Sequence, residues 1–193
     1  MSARFLNFHC AIPAAEINRL QAIQQQGGAT MLALNHSSLA DSFSIQALAY
    51  QARLTPVTMA ALKNFDRKIA NIPYQIIWPI ARRLGYFSVN RGNQSIQKST
   101  DHVQEILGKG KNPLLIFPEG RISWQNNQVG ACQTGALRLA LQTSQNKGQT
   151  VRILPVGIGY RYLPQAKGQV LKLLTQNEKK CFKGQPPQYL PTD

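Results

Sequence analysis

A histidine and an aspartate five residues apart form the first pair in this chain that could do acid–base chemistry. His36 lies two residues after the run 30–34, which predicts a buried strand, and Asp41 falls early in the segment 39–53, which predicts a helix. The carboxyl end of a strand is the edge of an open α/β sheet at which ligands bind. A carboxylate in the first helical turn can hold one imidazole nitrogen and raise the basicity of the other. The pair therefore predicts a general base; the alternative is a structural histidine beside a helix-capping serine.

The sequence argues against two other kinds of chemistry. Ser37 and Ser38 follow His36, but the sequence has no G-x-S-x-G turn of the kind that exposes a serine nucleophile. We therefore expect the histidine to activate a substrate hydroxyl and not a protein serine. No metal site is expected either, because the histidines form no ligand pair and there is no C-x-x-C spacing among the three cysteines, Cys10, Cys132 and Cys181.

A second candidate corner follows the apolar run 113–117, which predicts another short strand. After it come Glu119, Gly120 and Arg121. The glycine allows close approach of the backbone to a ligand, and the guanidinium can hold a phosphate or carboxylate through two parallel hydrogen bonds. The alternative is a solvated ion pair between Glu119 and Arg121.

The elements that must position these residues alternate between strands and helices. We predict strands at 29–35, 56–61, 86–90, 113–117, 151–160 and 168–174, and helices at 13–24, 39–53, 64–83, 95–107 and 131–145. This alternation predicts an α/β fold with a single domain, in which a mostly parallel central sheet is flanked by helices. The domain is expected to span residues 1–176, followed by a loose, basic, proline-containing tail at 177–193.

In their order along the chain, these residues resemble the sequence blocks of the glycerolipid acyltransferase family that includes the 1-acylglycerol-3-phosphate acyltransferases. The first block, N-H-x4-D, looks like Asn35, His36 and Asp41. The second, a glycine before an aromatic-rich strand and an arginine, looks like residues 85–91. The third and fourth, F-P-E-G with a nearby arginine and an apolar block with L-P, are similar to 117–121 and 153–156. The resemblance runs from about residue 30 to 160, and four ordered blocks make coincidence improbable.

The resemblance implies a glycerolphosphate acyltransferase-like fold and an O-acyltransferase activity. It implies that His36 deprotonates an acceptor hydroxyl, that Asp41 orients the imidazole, and that the alkoxide attacks an acyl thioester. The donor is expected to be a substrate, either acyl-CoA or acyl-carrier protein, with no further cofactor. The acceptor is expected to be a lysophospholipid, best represented by 1-acyl-sn-glycerol-3-phosphate, which would give phosphatidic acid. The residues expected to contact this acceptor are Lys63, Arg91, Glu119, Gly120 and Arg121.

Other readings stay open at this point. The acceptor could be another lysophospholipid or another alcohol, and the chain could be a non-catalytic lipid-binding or anion-binding protein of the same fold. Arg91 and Lys63 could be plain surface charges. Arg121 directly follows Gly120, whereas many members of the family have a threonine between the two, so its guanidinium could point in a different direction.

The charge of the chain favours an anionic partner. Its 193 residues contain 22 Lys and Arg against 8 Asp and Glu, a net charge of +14. A nucleic acid is disfavoured because no recognition motif is visible. An anionic membrane surface and the acyl donor both fit this charge, although it could also be a solvated face.

The hydrophobic segments predict contact with a membrane surface and not a membrane span. We find no secretory signal and no apolar run near the roughly 20 residues that a spanning helix needs. The stretch 69–87 mixes aromatic residues with Arg82 and Arg83, which is typical of an interfacial helix and equally of an amphipathic core helix. We therefore expect a cytoplasmic protein that is peripheral on the inner or an internal membrane surface.

Overall fold

The computed structural model describes residues 10–61, 74–89, 93–126, 128–161 and 163–181. It divides into two compact units, Met1–Ile158 and Gly159–Asp193. The sheet and all the candidate site residues that the structure describes belong to the first unit.

The first unit is built on a sheet of parallel strands. The described strands are β1 (Ala29–Leu34), β2 (Val57–Ala61), β3 (Tyr86–Val89), β4 (Leu114–Ile116) and β5 (Val151–Val156). Their order across the sheet is β3-β2-β4-β1-β5, and every pairing between them is parallel. This confirms the predicted α/β class, and the five predicted strands from 29 to 160 are found, although β5 ends at Val156.

Helices connect the strands and cover the two faces of the sheet. They are α1 (Ala14–Gln25), α2 (Asp41–Ala52), α3 (Tyr74–Arg83), α4 (Asn93–Lys109) and α5 (Gly135–Lys147). The chain moves toward the β3 edge of the sheet when it passes through α2 from β1 to β2 and through α3 from β2 to β3. It moves toward the β5 edge when it passes through α4 from β3 to β4 and through α5 from β4 to β5. Because such crossovers are right-handed, α2 and α3 lie on one side of the sheet and α4 and α5 on the other.

The packing of the two apolar clusters agrees with this arrangement. On the α2 side, Ile45 packs with Leu32, Leu34 and Leu115. On the other side, one cluster joins strand and helix residues: Ala29, Met31, Leu114, Ile116, Val103, Leu107 and Ala140. Burial of each large aliphatic side chain contributes about 1.5 to 3 kcal/mol, so the two clusters hold both strand-to-loop corners in place.

The prediction of a sixth strand at 168–174 is wrong. This stretch lies in the helix α6 (Lys167–Cys181), which follows a short 3-10 helix at Pro164–Ala166 in the second unit. Four apolar residues, at positions 170, 171, 173 and 174, have the i, i+1, i+3, i+4 spacing of a helix. A run of four apolar residues is too short to separate strand from helix, and the polar residues on both sides favour the helix.

Two predicted segments are only partly covered by the described residues. The helix predicted at 64–83 is confirmed over Tyr74–Arg83, and the remainder lies outside the described residues. Residues 177–181 of the predicted tail are helical because α6 continues to Cys181, and residues 182–193 lie outside the described part. That the tail is loose stays a prediction. The domain boundary at residue 176 stays a prediction. No helix among the described residues is long and apolar enough to cross a membrane.

Candidate active site

The corner between β1 and α2 brings the histidine and the aspartate into direct contact. The distance between His36 Nδ1 and Asp41 Oδ2 is 2.7 Å. The same carboxylate oxygen accepts the backbone N–H of Ser38 at 3.1 Å, and the Ser38 hydroxyl accepts the N–H of Ala40 at 3.1 Å. These bonds shape the turn before α2, which begins at Asp41 and not at residue 39. The predicted pairing across five residues is therefore present.

The surroundings of the two side chains are those of a shielded acid–base pair. The side chain of Asp41 is 1% exposed and that of His36 is 16% exposed. The imidazole stacks on Phe117, with ring centroids 4.0 Å apart and an angle of 21° between the planes. Because a carboxylate can only accept, Nδ1 donates its hydrogen to Asp41. Nε2 is then the nitrogen with a lone pair for a substrate proton.

Glu119, on the loop after β4, links this corner to a distant part of the chain. Its side chain is buried, Oε1 accepts the backbone N–H of His36 at 2.8 Å, and Oε2 accepts that of Gly130 at 3.1 Å. A Cβ atom at position 130 would lie 2.6 Å from Oε2, so any larger residue would have to displace the Glu119 carboxylate or the loop. We predicted that Glu119 contacts the acceptor. The structure places both of its oxygens on backbone N–H groups, an arrangement that positions the histidine, and substrate contact stays a prediction.

Ser123, which the sequence did not identify, also forms hydrogen bonds to the backbone of His36. Ser123 donates to the carbonyl oxygen of His36 twice, from its backbone N–H at 2.7 Å and from its hydroxyl at 3.0 Å. Trp124, the next residue, has φ +58° and is 69% exposed. A bulky residue in the left-handed region costs about 1 to 3 kcal/mol, and such residues concentrate at functional sites. Neither the serine nor the tryptophan lies in a sequence pattern that would have identified it.

Asn35 fixes the end of β1 against the segment that follows β5. Its side-chain amide donates to the carbonyl oxygen of Ile158 at 2.8 Å, and its oxygen accepts the N–H of Ile158 at 2.6 Å. The amide therefore imitates a strand neighbour just beyond the last register pair, Leu34 with Val156. These two hydrogen bonds give the asparagine before the histidine a structural role, which is to hold the end of β1 against residue 158.

The remaining predicted contact residues are only partly described. Gly120 has φ +66°, which favours glycine, and its N–H donates to the carbonyl oxygen of Phe117 at 3.0 Å. Arg121 is exposed on the same turn. Arg91 and Lys63 lie outside the described residues. The structure thus brings His36, Asp41 and Glu119 together and places Gly120 and Arg121 on the adjoining turn.

Metal ligation and thiol chemistry find little support in the described part of the chain. There, no three His, Cys, Asp or Glu side chains come together as a metal ion would need. Burial raises the pKa of the Cys10 thiol, which disfavours the reactive thiolate at that residue. The absence of a metal cofactor stays a prediction.

Comparison with known proteins adds one finding to this geometry. A family model described as acyltransferase matches residues 15–159, a range that contains β1 to β5 and every described residue of the site. Comparison with curated proteins gave no match. The family predicted from the four sequence blocks is confirmed.

Proposed function

The chain belongs to the acyltransferase family, and we propose that it is an enzyme that transfers a fatty acyl group from an acyl thioester to the hydroxyl of a lysophospholipid. Family membership supports the general statement of acyl transfer to a lipid acceptor. The specific proposal is that the acceptor is 1-acyl-sn-glycerol-3-phosphate and the product phosphatidic acid, which is a step of phospholipid biosynthesis.

The observation that carries this proposal is the contact between His36 Nδ1 and the buried Asp41 carboxylate at 2.7 Å. This contact fixes the tautomer and the direction of the imidazole, so that Nε2 can accept a proton. A histidine held this way is suited to an acceptor hydroxyl, whose own pKa is too high for it to attack unaided. General-base assistance of this kind contributes about 10² to 10⁴ in rate.

The proposed reaction needs no further co-reactant. Nε2 of His36 takes the proton from the acceptor hydroxyl while the hydroxyl oxygen forms a bond to the thioester carbonyl carbon. The carbon–sulfur bond then breaks, and the leaving sulfur receives the proton from the imidazolium. The Asp41 carboxylate stabilises the imidazolium between these two proton transfers.

We propose that cationic side chains bind the acceptor phosphate. Arg121 is exposed on the turn with Gly120 beside the site, and a guanidinium can bind phosphate through two parallel hydrogen bonds. Arg91 and Lys63 are proposed for the same role from their places in the sequence. The donor is proposed to be acyl-CoA or acyl-carrier protein, and both are anions that the net charge of +14 would attract.

The proposed place of action is the surface of an anionic membrane. The charge of the chain and the lipid nature of the acceptor support this proposal. We propose that the protein is cytoplasmic and peripheral on the inner or an internal membrane surface.

The test measures thiol release by the purified chain with a panel of lysophospholipids and acyl thioesters. We expect release to depend on lysophosphatidic acid and to be lost in His36→Ala. The matched control is His102→Ala, because His102 also pairs with a carboxylate, at 3.8 Å from Glu105, but half of its side chain is exposed.

Three outcomes are informative. Release that depends on both the acceptor and His36 supports the enzyme and identifies its acceptor. Equal release by His36→Ala contradicts the mechanism. No release with any pair, from folded protein that still binds lipid vesicles, would favour the non-catalytic lipid-binding alternative.

A further inference from the structure

We propose that the outward surface of α2 and α3 is where this protein docks on an anionic lipid bilayer. We call it the outer α2–α3 surface and define it by six exposed residues: Phe43, Tyr50, Ile80, Arg82, Arg83 and Leu84. The proposal rests on the proposed function in one respect, since a lipid acceptor gives the enzyme a reason to sit on a bilayer. Its test measures binding separately from catalysis.

The two helices face the same way because of the order of the strands. The chain steps toward the β3 edge both from β1 to β2 and from β2 to β3, so right-handed crossovers put α2 and α3 on the same side of the sheet. Ile45 of α2 and Ala81 of α3 are buried. The opposite side of each helix therefore faces outward, in a common direction.

The outward side of α2 carries no charge and exposes two aromatic residues as well as Ser42. Phe43 and Tyr50 lie two turns apart on this side, and both are more than half exposed. The helix has a single charged residue, Asp41, which is buried at the site. A surface helix of a soluble protein ordinarily presents charged and polar groups to water, so an uncharged outward side with exposed aromatics indicates a partner that is itself apolar.

The outward side of α3 adds positive charge to this uncharged surface. Ile80 and Leu84 lie one turn apart and are 55% and 47% exposed. Arg83 lies beside Ile80 around the helix axis, whereas Arg82 lies on the opposite side from Ile80, and both arginines are exposed. Apolar side chains that can enter the interface, together with guanidinium groups that can reach phosphates, are the combination that binds anionic bilayers.

The position of α2 relative to the site favours a bilayer over a protein partner. Asp41, the first residue of α2, holds the catalytic imidazole, and Phe43 lies only two residues further along the same helix. A bilayer that reaches Phe43 therefore lies next to the place where a lysophospholipid hydroxyl must arrive, whereas residues 80–84 of the same surface lie at the opposite edge of the sheet, just before β3. The net charge of +14 complements the anionic lipid and opposes association with a second copy of the chain.

The experiment measures sedimentation of the full chain with vesicles of phosphatidylcholine, alone or mixed with phosphatidylglycerol. We expect Ile80→Ser/Leu84→Ser to weaken binding to the mixed vesicles by about tenfold. We expect Arg82→Ala/Arg83→Ala to weaken it by about tenfold and to reduce the preference for phosphatidylglycerol.

The matched control is Leu137→Ser/Leu141→Ser. These leucines are 53% and 54% exposed and also lie one turn apart, but on α5, on the other side of the sheet. We expect this control to bind as the unaltered chain does. Circular dichroism confirms that each variant is folded.

Several outcomes would overturn the proposal. One is equal weakening of binding in the α5 control, and another is unchanged binding in both outer-surface variants. A third is a fall from dimer to monomer in gel filtration of Ile80→Ser/Leu84→Ser, which would identify a second copy of the chain as the occupant. Thiol release with a monomeric short-chain lysophosphatidic acid separates docking from catalysis. We expect the outer-surface variants to retain this release, whereas His36→Ala should lose it and still bind vesicles.

Discussion

Two histidine–carboxylate pairs in this molecule are similar in sequence and different in structure. His36 and Asp41 are 2.7 Å apart, with side chains that are 16% and 1% exposed. His102 and Glu105, on one face of α4, are 3.8 Å apart and 50% and 57% exposed. Both pairs place an acid a few residues after a histidine, so spacing alone does not distinguish a candidate base from a surface pair.

What distinguishes them is how firmly each histidine is held. The backbone of His36 is bound on both sides, by Glu119 and by Ser123, and its ring stacks on Phe117. Glu105, by contrast, bonds Lys109 at 2.6 Å, and this lysine lowers the pKa of the carboxyl more than His102 does. An exposed pair with a competing partner contributes little and has no fixed direction. A histidine–carboxylate pair that is shielded from solvent and holds its imidazole in one direction can act in general acid–base catalysis.

The largest expected effect comes from neutralising the acid in each pair. We expect Asp41→Asn to lower kcat by about 10² to 10⁴, because the amide oxygen can still accept the N–H of Ser38 but no longer stabilises the imidazolium. Glu105→Gln is the matched control and should leave kcat unchanged. Steady-state thiol release measures both variants. Equal effects from the two substitutions would remove the distinction between the pairs.

The second prediction tests whether Glu119 positions His36 or binds the acceptor. Glu119→Gln leaves one oxygen for two backbone N–H groups, so we expect the free energy of unfolding to fall by about 1 to 3 kcal/mol. Displacement of the histidine should lower kcat by about 10- to 100-fold. Urea denaturation and steady-state kinetics measure the two effects.

Gly130→Ala approaches the same contact from the other side, since its new Cβ would lie 2.6 Å from Oε2. It should reproduce the loss of kcat. A rise in KM for the acceptor, with kcat and stability unchanged in Glu119→Gln, would instead support the substrate-binding role predicted from the sequence.

A smaller effect is expected from Asn35→Ala. This change removes two hydrogen bonds to the backbone of Ile158 and leaves those to His36 intact, so stability should fall by about 1 to 3 kcal/mol. Thermal unfolding measures the loss, and kcat at a temperature well below the transition should change less than in Glu119→Gln. A loss of kcat as large as that of Asp41→Asn would mean that the histidine depends on the strand end as much as on its own acid.

The smallest effect on stability is expected from Trp124→Gly. Glycine adopts φ +58° without strain, so the free energy of unfolding should stay the same or rise by about 1 kcal/mol. If the exposed indole contacts the acyl chain of the acceptor, KM should rise for a long-chain acceptor and not for a short-chain one. A clear loss of stability would show instead that the side chain packs in the folded protein.

The sequence predicted those features that depend on residues close together in the chain. The strand before His36 is a short apolar run, the turn after it is set by neighbouring residues, and Asp41 is only five residues away. The same reasoning identified five strands and the helices between them, because periodic burial is visible in the order of residues. It failed at 168–174, where a strand was predicted although the spacing of the four apolar residues and the polar residues around them favour a helix.

The tertiary structure decided whether the His36–Asp41 pair is shielded from solvent and in which direction the imidazole points. Glu119 reaches the N–H of His36 across 83 residues, Ser123 reaches its carbonyl oxygen across 87, and Asn35 meets Ile158 across 123. Such contacts form only when the sheet brings the carboxyl ends of β1, β4 and β5 to one edge. The sequence by itself identified the candidate acid–base pair and the family, whereas folding determined the contacts of Glu119, the strain at Trp124 and the outward direction of α2 and α3. The physical reason is that the local conformation of a residue depends on its neighbours in the sequence. Its hydrogen-bond partners depend on which distant strands become adjacent in the fold.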